Sequence, residues 1–143
     1  MKRVASIFVL LAVLLTAAMS LTACSGGVTR EETQTASEAL FAALSKGDYE
    51  AAAALFHPET GMTADNVAAF CEQLNSQTGL DFSEGATIER YTGMSTSFYD
   101  SNVGGSRYEL TIQVRVGETS ATFRVEVVRN DGGFGISNLH YDP

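Results

Sequence analysis

Tyr108-Glu109-Leu110-Thr111-Ile112-Gln113-Val114-Arg115-Val116-Gly117-Glu118-Thr119-Ser120-Ala121-Thr122-Phe123-Arg124-Val125-Glu126-Val127 alternates apolar and polar residues on both sides of Gly117-Glu118. Successive side chains of a strand point to opposite faces, so each half reads as a strand with one buried and one wetted face. A two-residue loop with Gly first suits the type II′ hairpin turn. That loop pairs Val114 with Ala121, Ile112 with Phe123, Leu110 with Val125 and Tyr108 with Val127. Every apolar partner then lands on one face, and pattern and turn chemistry specify the same register. The register also sets Glu109 opposite Glu126, a like-charge pair that calls for a solvated face.

Toward the C-terminus, Asn130-Asp131-Gly132-Gly133 is a second hairpin signal, which brings Val127 opposite Ile136. Two registers follow for the last strand. Continued regularly, it turns Asn138 and His140 onto the apolar face; with a bulge after Ile136 it turns Leu139 and Tyr141 inward and releases both polar groups to water. Toward the N-terminus, residues 86 to 99 read as a long first strand, bent or bulged near Gly93, because Ile88, Met94 and Phe98 compete with Tyr91 and Tyr99 for the inner face. Asp100 to Ser106 is the loop that follows.

Before Gly85 the apolar period is that of a helix. Ala36, Ala39, Leu40, Ala43 and Leu44 form one stripe that starts after Glu31 and ends at Gly47. Asp48 caps a second, short helix with the stripe Tyr49, Ala52, Ala53 and Phe56, closed by Pro58. Thr63 caps a third, with Val67, Phe70, Cys71 and Leu74 facing inward, stopped by Gly79. Leu80 to Gly85 reads as a loop. The sequence therefore predicts one α+β domain over 31–143, with about three N-terminal helices packed on a curved four-stranded antiparallel sheet.

The run Ala39-Leu40-Phe41-Ala42-Ala43-Leu44-Ser45-Lys46-Gly47-Asp48-Tyr49-Glu50-Ala51-Ala52-Ala53-Ala54-Leu55-Phe56-His57-Pro58, with a meander ending in Asp131-Gly132-Gly133-Phe134-Gly135-Ile136-Ser137, resembles the nuclear transport factor 2-like superfamily. It is similar to small bacterial lipoproteins of that group. The resemblance implies a cone-like fold, a curved sheet wrapped over helices, with a cystatin-like sheet on one helix as the nearby alternative. It implies no activity, because the superfamily hosts isomerases, dehydratases, hydrolases, immunity proteins and accessory domains.

The chain has 143 residues, and 17 of the first 23 are apolar with no acidic group among them. Met1-Lys2-Arg3, the apolar run Ile7 to Leu15 and the residues before Cys24 have the layout of a secretory signal over 1–23. Leu21-Thr22-Ala23-Cys24 looks like the lipobox of bacterial lipoproteins, which implies that Cys24 carries lipid and that the mature protein is held at the cell membrane, facing outside the cytoplasm. Residues 24–30 then form a flexible tether, with Ser25, Gly26 and Gly27. Beyond residue 23 the chain carries 7 basic and 17 acidic groups, a net charge of −10. That charge excludes nucleic acid as a partner and disfavours electrostatic adsorption to anionic lipid, so the membrane partner is reached through the acyl chains on Cys24. With Cys24 acylated, Cys71 has no intrachain disulfide partner.

Chemistry-bearing residues are few. In the register that turns them inward, Asn138 and His140 are the polar pair on the apolar face, and with Tyr108 they are the ligand-pocket candidates. A small apolar ligand or an envelope protein is the expected partner, and the expected role is binding or accessory rather than catalysis. One alternative is an isomerase- or hydrolase-like pocket enzyme using His140 with a Tyr. Another is a domain that associates through its sheet as a homodimer. His57 is expected at the C-terminal end of the second helix, where the dipole favours an imidazolium. Two histidines far apart, without His-x-x-x-His or Cys-x-x-Cys, predict no metal site, and no cofactor motif is present.

Overall fold

The computed structural model describes residues 26–97 and 103–143. The signal segment, Cys24 and the strand residues Phe98 and Tyr99 lie outside the described residues. Three helices come first. α1, Arg30–Lys46, opens on a capping box in which Thr29 accepts from the Glu32 N–H while the Glu32 carboxylate accepts from the Thr29 N–H, and Gly47 closes it in the left-handed conformation. α2, Tyr49–Ala54, is capped by Asp48, whose carboxylate accepts from the Ala51 N–H. α3, Ala64–Thr78, repeats the capping box with Thr63 and Asn66 and stops at Gly79. These starts and stops follow from orphan backbone N–H and C=O groups finding the side chains and glycines that satisfy them.

Four strands follow in chain order as one antiparallel sheet: β1 Ala86–Ser97, β2 Ser106–Val116, β3 Thr119–Asn130 and β4 Gly133–Asp142. The fold is the α+β arrangement of helices on a four-stranded sheet. The β2–β3 register is the one the alternation specifies, with Val114 opposite Ala121, Ile112 opposite Phe123 and Leu110 opposite Val125. β1 resolves the competition for its inner face with two bulges, between Ile88 and Arg90 and between Tyr91 and Gly93. Each extra residue stretches the period from two to three, so Ile88, Tyr91 and Met94 oppose the inward Val114, Ile112 and Leu110 on one face. β4 takes the bulged alternative: Val127 pairs with Ile136, but Glu126 pairs with Asn138, leaving Ser137 as the extra residue. Leu139 and Tyr141 consequently pair with Val125 and Phe123.

α1 lies across the sheet, packing on β1, β2 and β3. It contributes Leu40, Leu44 and Phe41 to the core, where Phe41 meets Phe123 edge-on at 5.3 Å between centroids and Phe82 and Tyr141 complete the aromatic cluster. Leu110, Ile112, Val114, Phe123 and Val125 are fully buried, each contributing about 1.5–3 kcal/mol by its removal from water. Phe41 lies beside the stripe read from the sequence, because a helix laid across a sheet buries a wider face than one facing another helix. Leu80 and Phe82 are buried as well, since the expected loop carries a 3-10 turn, Phe82–Glu84, whose first residue fills the core.

Two further expectations change. Residues 26 to 29 are seated against the sheet: Val28 is 8 % exposed and its N–H donates to Ser106 Oγ at 3.1 Å, so the described part of the tether belongs to the domain. The face that Glu126 shares with Glu109 is not a freely wetted one, for Glu126 is only 4 % exposed. The like-charge pair is tolerated because Arg107 Nη1 lies 3.0 Å from Glu126 Oε2 and Ser137 Oγ donates to Oε1 at 2.6 Å. The bulge at Ser137 therefore both reverses the last strand and supplies a hydroxyl to a buried carboxylate.

Candidate functional site, an apolar cleft beside the last strand

A cleft of about 150 Å³ lies between α1, α3 and β4. Leu40 and Leu44 come from α1, Val67 and Phe70 from α3, and Phe56 and Met62 from the segments between the helices; Leu139 comes from β4. Asn66, Ser137 and Asn138 add the polar part of its wall. Asn66 Oδ1 already accepts from Thr63 in the capping box, and Ser137 Oγ is turned to Glu126. No carboxylate, imidazole, amine or thiol is among these lining residues. The cleft can take an apolar group and offer it an amide hydrogen bond at the rim; the lining holds no group that transfers a proton.

The three residues singled out from the sequence are not brought together. The bulge turns Asn138 and His140 to the outer face, opposite Glu126 and Arg124. Asn138 still reaches the cleft wall at the sheet edge. His140 is exposed, with Nε2 3.3 Å from Asp142 Oδ1, and the same carboxylate receives two hydrogen bonds from Arg124 at 2.9 and 3.0 Å. Tyr108 stays on the inner face, buried, with its hydroxyl 3.1 Å from Met94 Sδ. His140 and Tyr108 thus sit on opposite faces of the sheet with β3 between them, so Tyr108 is not the tyrosine that could act with His140 in the alternative, enzymatic reading.

His57 is placed differently from expectation too. α2 ends before it, and the chain folds His57 under the β3–β4 hairpin, where it is 1 % exposed. Nδ1 accepts the Glu59 N–H at 3.1 Å, which leaves Nε2 to donate to Asn130 Oδ1 at 2.9 Å. Asn130 Nδ2 in turn donates to Glu59 Oε2 and to the Gly104 carbonyl, both at 2.8 Å. Beside this network the 55–57 backbone bridges β4: His57 N–H donates to Ile136 O at 2.8 Å and Ile136 N–H to Leu55 O at 2.9 Å. Gly135 permits that approach, because a Cβ there would lie 2.5 Å from His57 N and 2.7 Å from Phe56 C. The bridge fixes Phe56 at the floor of the cleft.

Cys71 faces inward from α3, and burial pushes its thiol up to about 11. It lines a second, more polar cavity of about 320 Å³ with Tyr49, Glu72, Asn75 and Asp81. Tyr91 is pushed up to about 12, first by burial and then by Glu38, whose carboxylate accepts its hydroxyl at 3.2 Å. Among the described residues no group of three or more His, Cys, Asp or Glu converges to hold a metal, and no helix is long and apolar enough to cross a membrane.

The sequence placed Leu40, Leu44, Phe56, Val67 and Phe70 on inward stripes and named Asn138 as a pocket candidate, but did not show that they meet in one cleft. Leu139 depends on the bulge, and Phe56 on the bridge to β4. Met62 carried a readable signal: it precedes the Thr63 cap with Val67 four residues into α3, the spacing of a hydrophobic staple, and both residues line the cleft. No family model matches the chain, and no curated protein is similar to it. Among solved structures, a de novo designed protein with a curved β-sheet is similar to it at a TM-score of 0.41 and 16 % identity, with 77 % of this chain and 98 % of that one covered.

Proposed function

We propose that this protein is a lipid-anchored, extracytoplasmic binding or accessory protein, a member of the nuclear transport factor 2-like superfamily, and that the cleft between α1, α3 and β4 is where it holds an apolar group. The observation that carries the binding role is the cleft itself: seven apolar side chains line an open cleft of about 150 Å³, with two amides and a hydroxyl in the wall. A volume of that order accepts benzene in an engineered apolar cavity, so one aromatic ring or a short aliphatic chain is the matching size. The lipobox-like Leu21-Thr22-Ala23-Cys24 supports the anchor, and the Gly47-Asp48-Tyr49 and Phe56-His57-Pro58 signatures support the superfamily.

Benzene and hexanoic acid are suitable probes. The expected result is ligand-dependent shifts of the amide resonances of Val67, Phe70, Ser137 and Leu139, abolished by Val67→Phe, which fills the cleft. Shifts that survive Val67→Phe, or none at millimolar probe, overturn the binding role. Metabolic labelling with an alkyne fatty acid tests the anchor separately, with label on the wild type and none on Cys24→Ser.

A further inference from the structure

The described chain begins against one end of the sheet. Ser106, Arg129 and Phe134 stand side by side there on β2, β3 and β4. Arg129 Nη1 donates to the carbonyls of Gly26 and Gly27, both at 3.4 Å, while Ser106 Oγ receives the Val28 N–H. Gly27 lies so close to Ser106 that a Cβ would stand 2.8 Å from its hydroxyl oxygen. Arg129 also pairs with Glu32 at 2.6 Å and covers the Phe134 ring at 4.8 Å. Phe134, 41 % exposed, is one of two large apolar side chains left exposed among the described residues; the other, Met94, lies on β1.

Two residue steps, with Ser25 between, take the chain from Gly26 to Cys24, a reach of at most about 7 Å. The polar layer of one bilayer leaflet is of similar depth, roughly 5–8 Å. Resting on the reading that Cys24 carries lipid, the geometry points to a membrane-facing end: the tip of the β3–β4 hairpin lies on the phospholipid headgroups, with Phe134 entering the interface and Arg129 clamping the anchored strand of chain above it. The occupant of this surface is the bilayer and not a protein, because an anchor this short leaves no gap for one. Glu32, Glu59 and Asp131 accompany Arg129 at this end, so the attraction is apolar and suits zwitterionic lipid rather than anionic lipid. The opposite end, the Gly117-Glu118 turn, projects about 35 Å away along eleven-residue β2.

The chain contains no Trp, so a single substitution makes an unambiguous reporter. Full-length, matured Phe134→Trp is reconstituted into phosphatidylcholine vesicles carrying brominated acyl chains, with Glu118→Trp as the distant control. The expected result is blue-shifted, bromine-quenched emission at 134 and unquenched, water-like emission at 118. Alongside it, amide exchange of the unsubstituted protein is expected to slow at least threefold at Gly132 to Phe134 on vesicles, relative to Cys24→Ser in solution. Vesicle-bound protein with unquenched Trp at 134 and unchanged exchange there overturns the membrane-facing end while leaving the anchor intact. Protein that carries no lipid and does not float with vesicles overturns the anchor, and this orientation with it.

Discussion

Replacing Gly135 by Ala tests whether the bridge between the 55–57 segment and β4 holds the two layers together. The added methyl would sit 2.5 Å from His57 N, 2.7 Å from Phe56 C and 2.8 Å from His57 Cα, all backbone atoms with no rotamer to change. Carbon contacts relax only near 3.5–4.0 Å, so the two segments must part by about 1 Å. That carries the His57 N–H to Ile136 O bond, now 2.8 Å, beyond hydrogen-bonding reach, and weakens the Ile136 N–H to Leu55 O bond in the same movement. Two backbone hydrogen bonds at about 0.5–1.5 kcal/mol each, and a buried donor left unpaired at about 1–3 kcal/mol, give a loss of about 3 kcal/mol. For a domain of this size the melting temperature falls by roughly 10–15 °C. Urea titration followed by far-UV circular dichroism reads the loss, with an unchanged slope showing that the native state has not expanded. Gly47→Ala is the comparison: its Cβ meets nothing within 4 Å, and only its φ of 67° opposes a side chain, so about 1 kcal/mol is expected. A Gly135→Ala loss no larger than the Gly47→Ala loss would refute the close-approach argument.

Three other outcomes follow from the same structure. Asn130→Ala removes the partner of the His57 Nε2–H and is expected to lose about 2–4 kcal/mol; in a cycle with His57→Ala the coupling should exceed about 1 kcal/mol, and additive losses would contradict the network. Although its partial burial pushes Glu32 upward, hydrogen bonds from Arg129 and Thr29 and the Arg129 charge hold its carboxyl below the ordinary 4.5, so it binds protons less readily folded than unfolded. Its contribution is complete above pH 4.5 and lost as pH falls through the lowered value; Glu32→Gln, which keeps an N3 acceptor, should flatten the acid limb of a stability–pH curve, and an unaltered limb would argue against the Arg129 pairing. Cys71 runs the other way: its thiol is raised from 9.0 to about 11 by burial, so stability should fall as pH rises between those values, and iodoacetamide at pH 8 should modify Cys71, read by peptide mass, about 100-fold more slowly than in the urea-unfolded chain.

The legible parts of this fold were those set by neighbours in sequence. The helix starts at Asp48 and Thr63 could be read because a capping side chain acts over three residues, whereas the first start was read from the apolar stripe at Glu31 and its cap, Thr29, was assigned to the tether. The β2–β3 register was doubly constrained, since the two-residue turn specifies it and the period-two pattern independently requires the same inward face. The bulge at Ser137 was visible as one of two registers and undecidable from the strand itself, because the deciding contacts come from elsewhere: Leu55 and His57 take both backbone groups of Ile136, and Glu126 takes the Ser137 hydroxyl. The fate of His140 and Asn138 hung on that choice. His57 could not be read at all, since its partner Asn130 is 73 residues away and doubles as a turn residue. The cleft was hidden for the same reason, being assembled from four segments of which only Met62 and Val67 announce each other.

The bulges have a further consequence for the chain among its own copies. An open sheet ends in two strands whose free N–H and C=O groups can recruit a neighbouring molecule, a hazard that grows when a protein is crowded on a surface. Both outer strands here are interrupted: β1 twice within six residues, Ile88 to Gly93, and β4 at Ser137, beside an Ile136 already occupied by Leu55 and His57. Among the described residues neither edge presents an unbroken ladder along its whole length, so the irregularities that shape the domain also shorten the stretch of either edge on which another strand could pair.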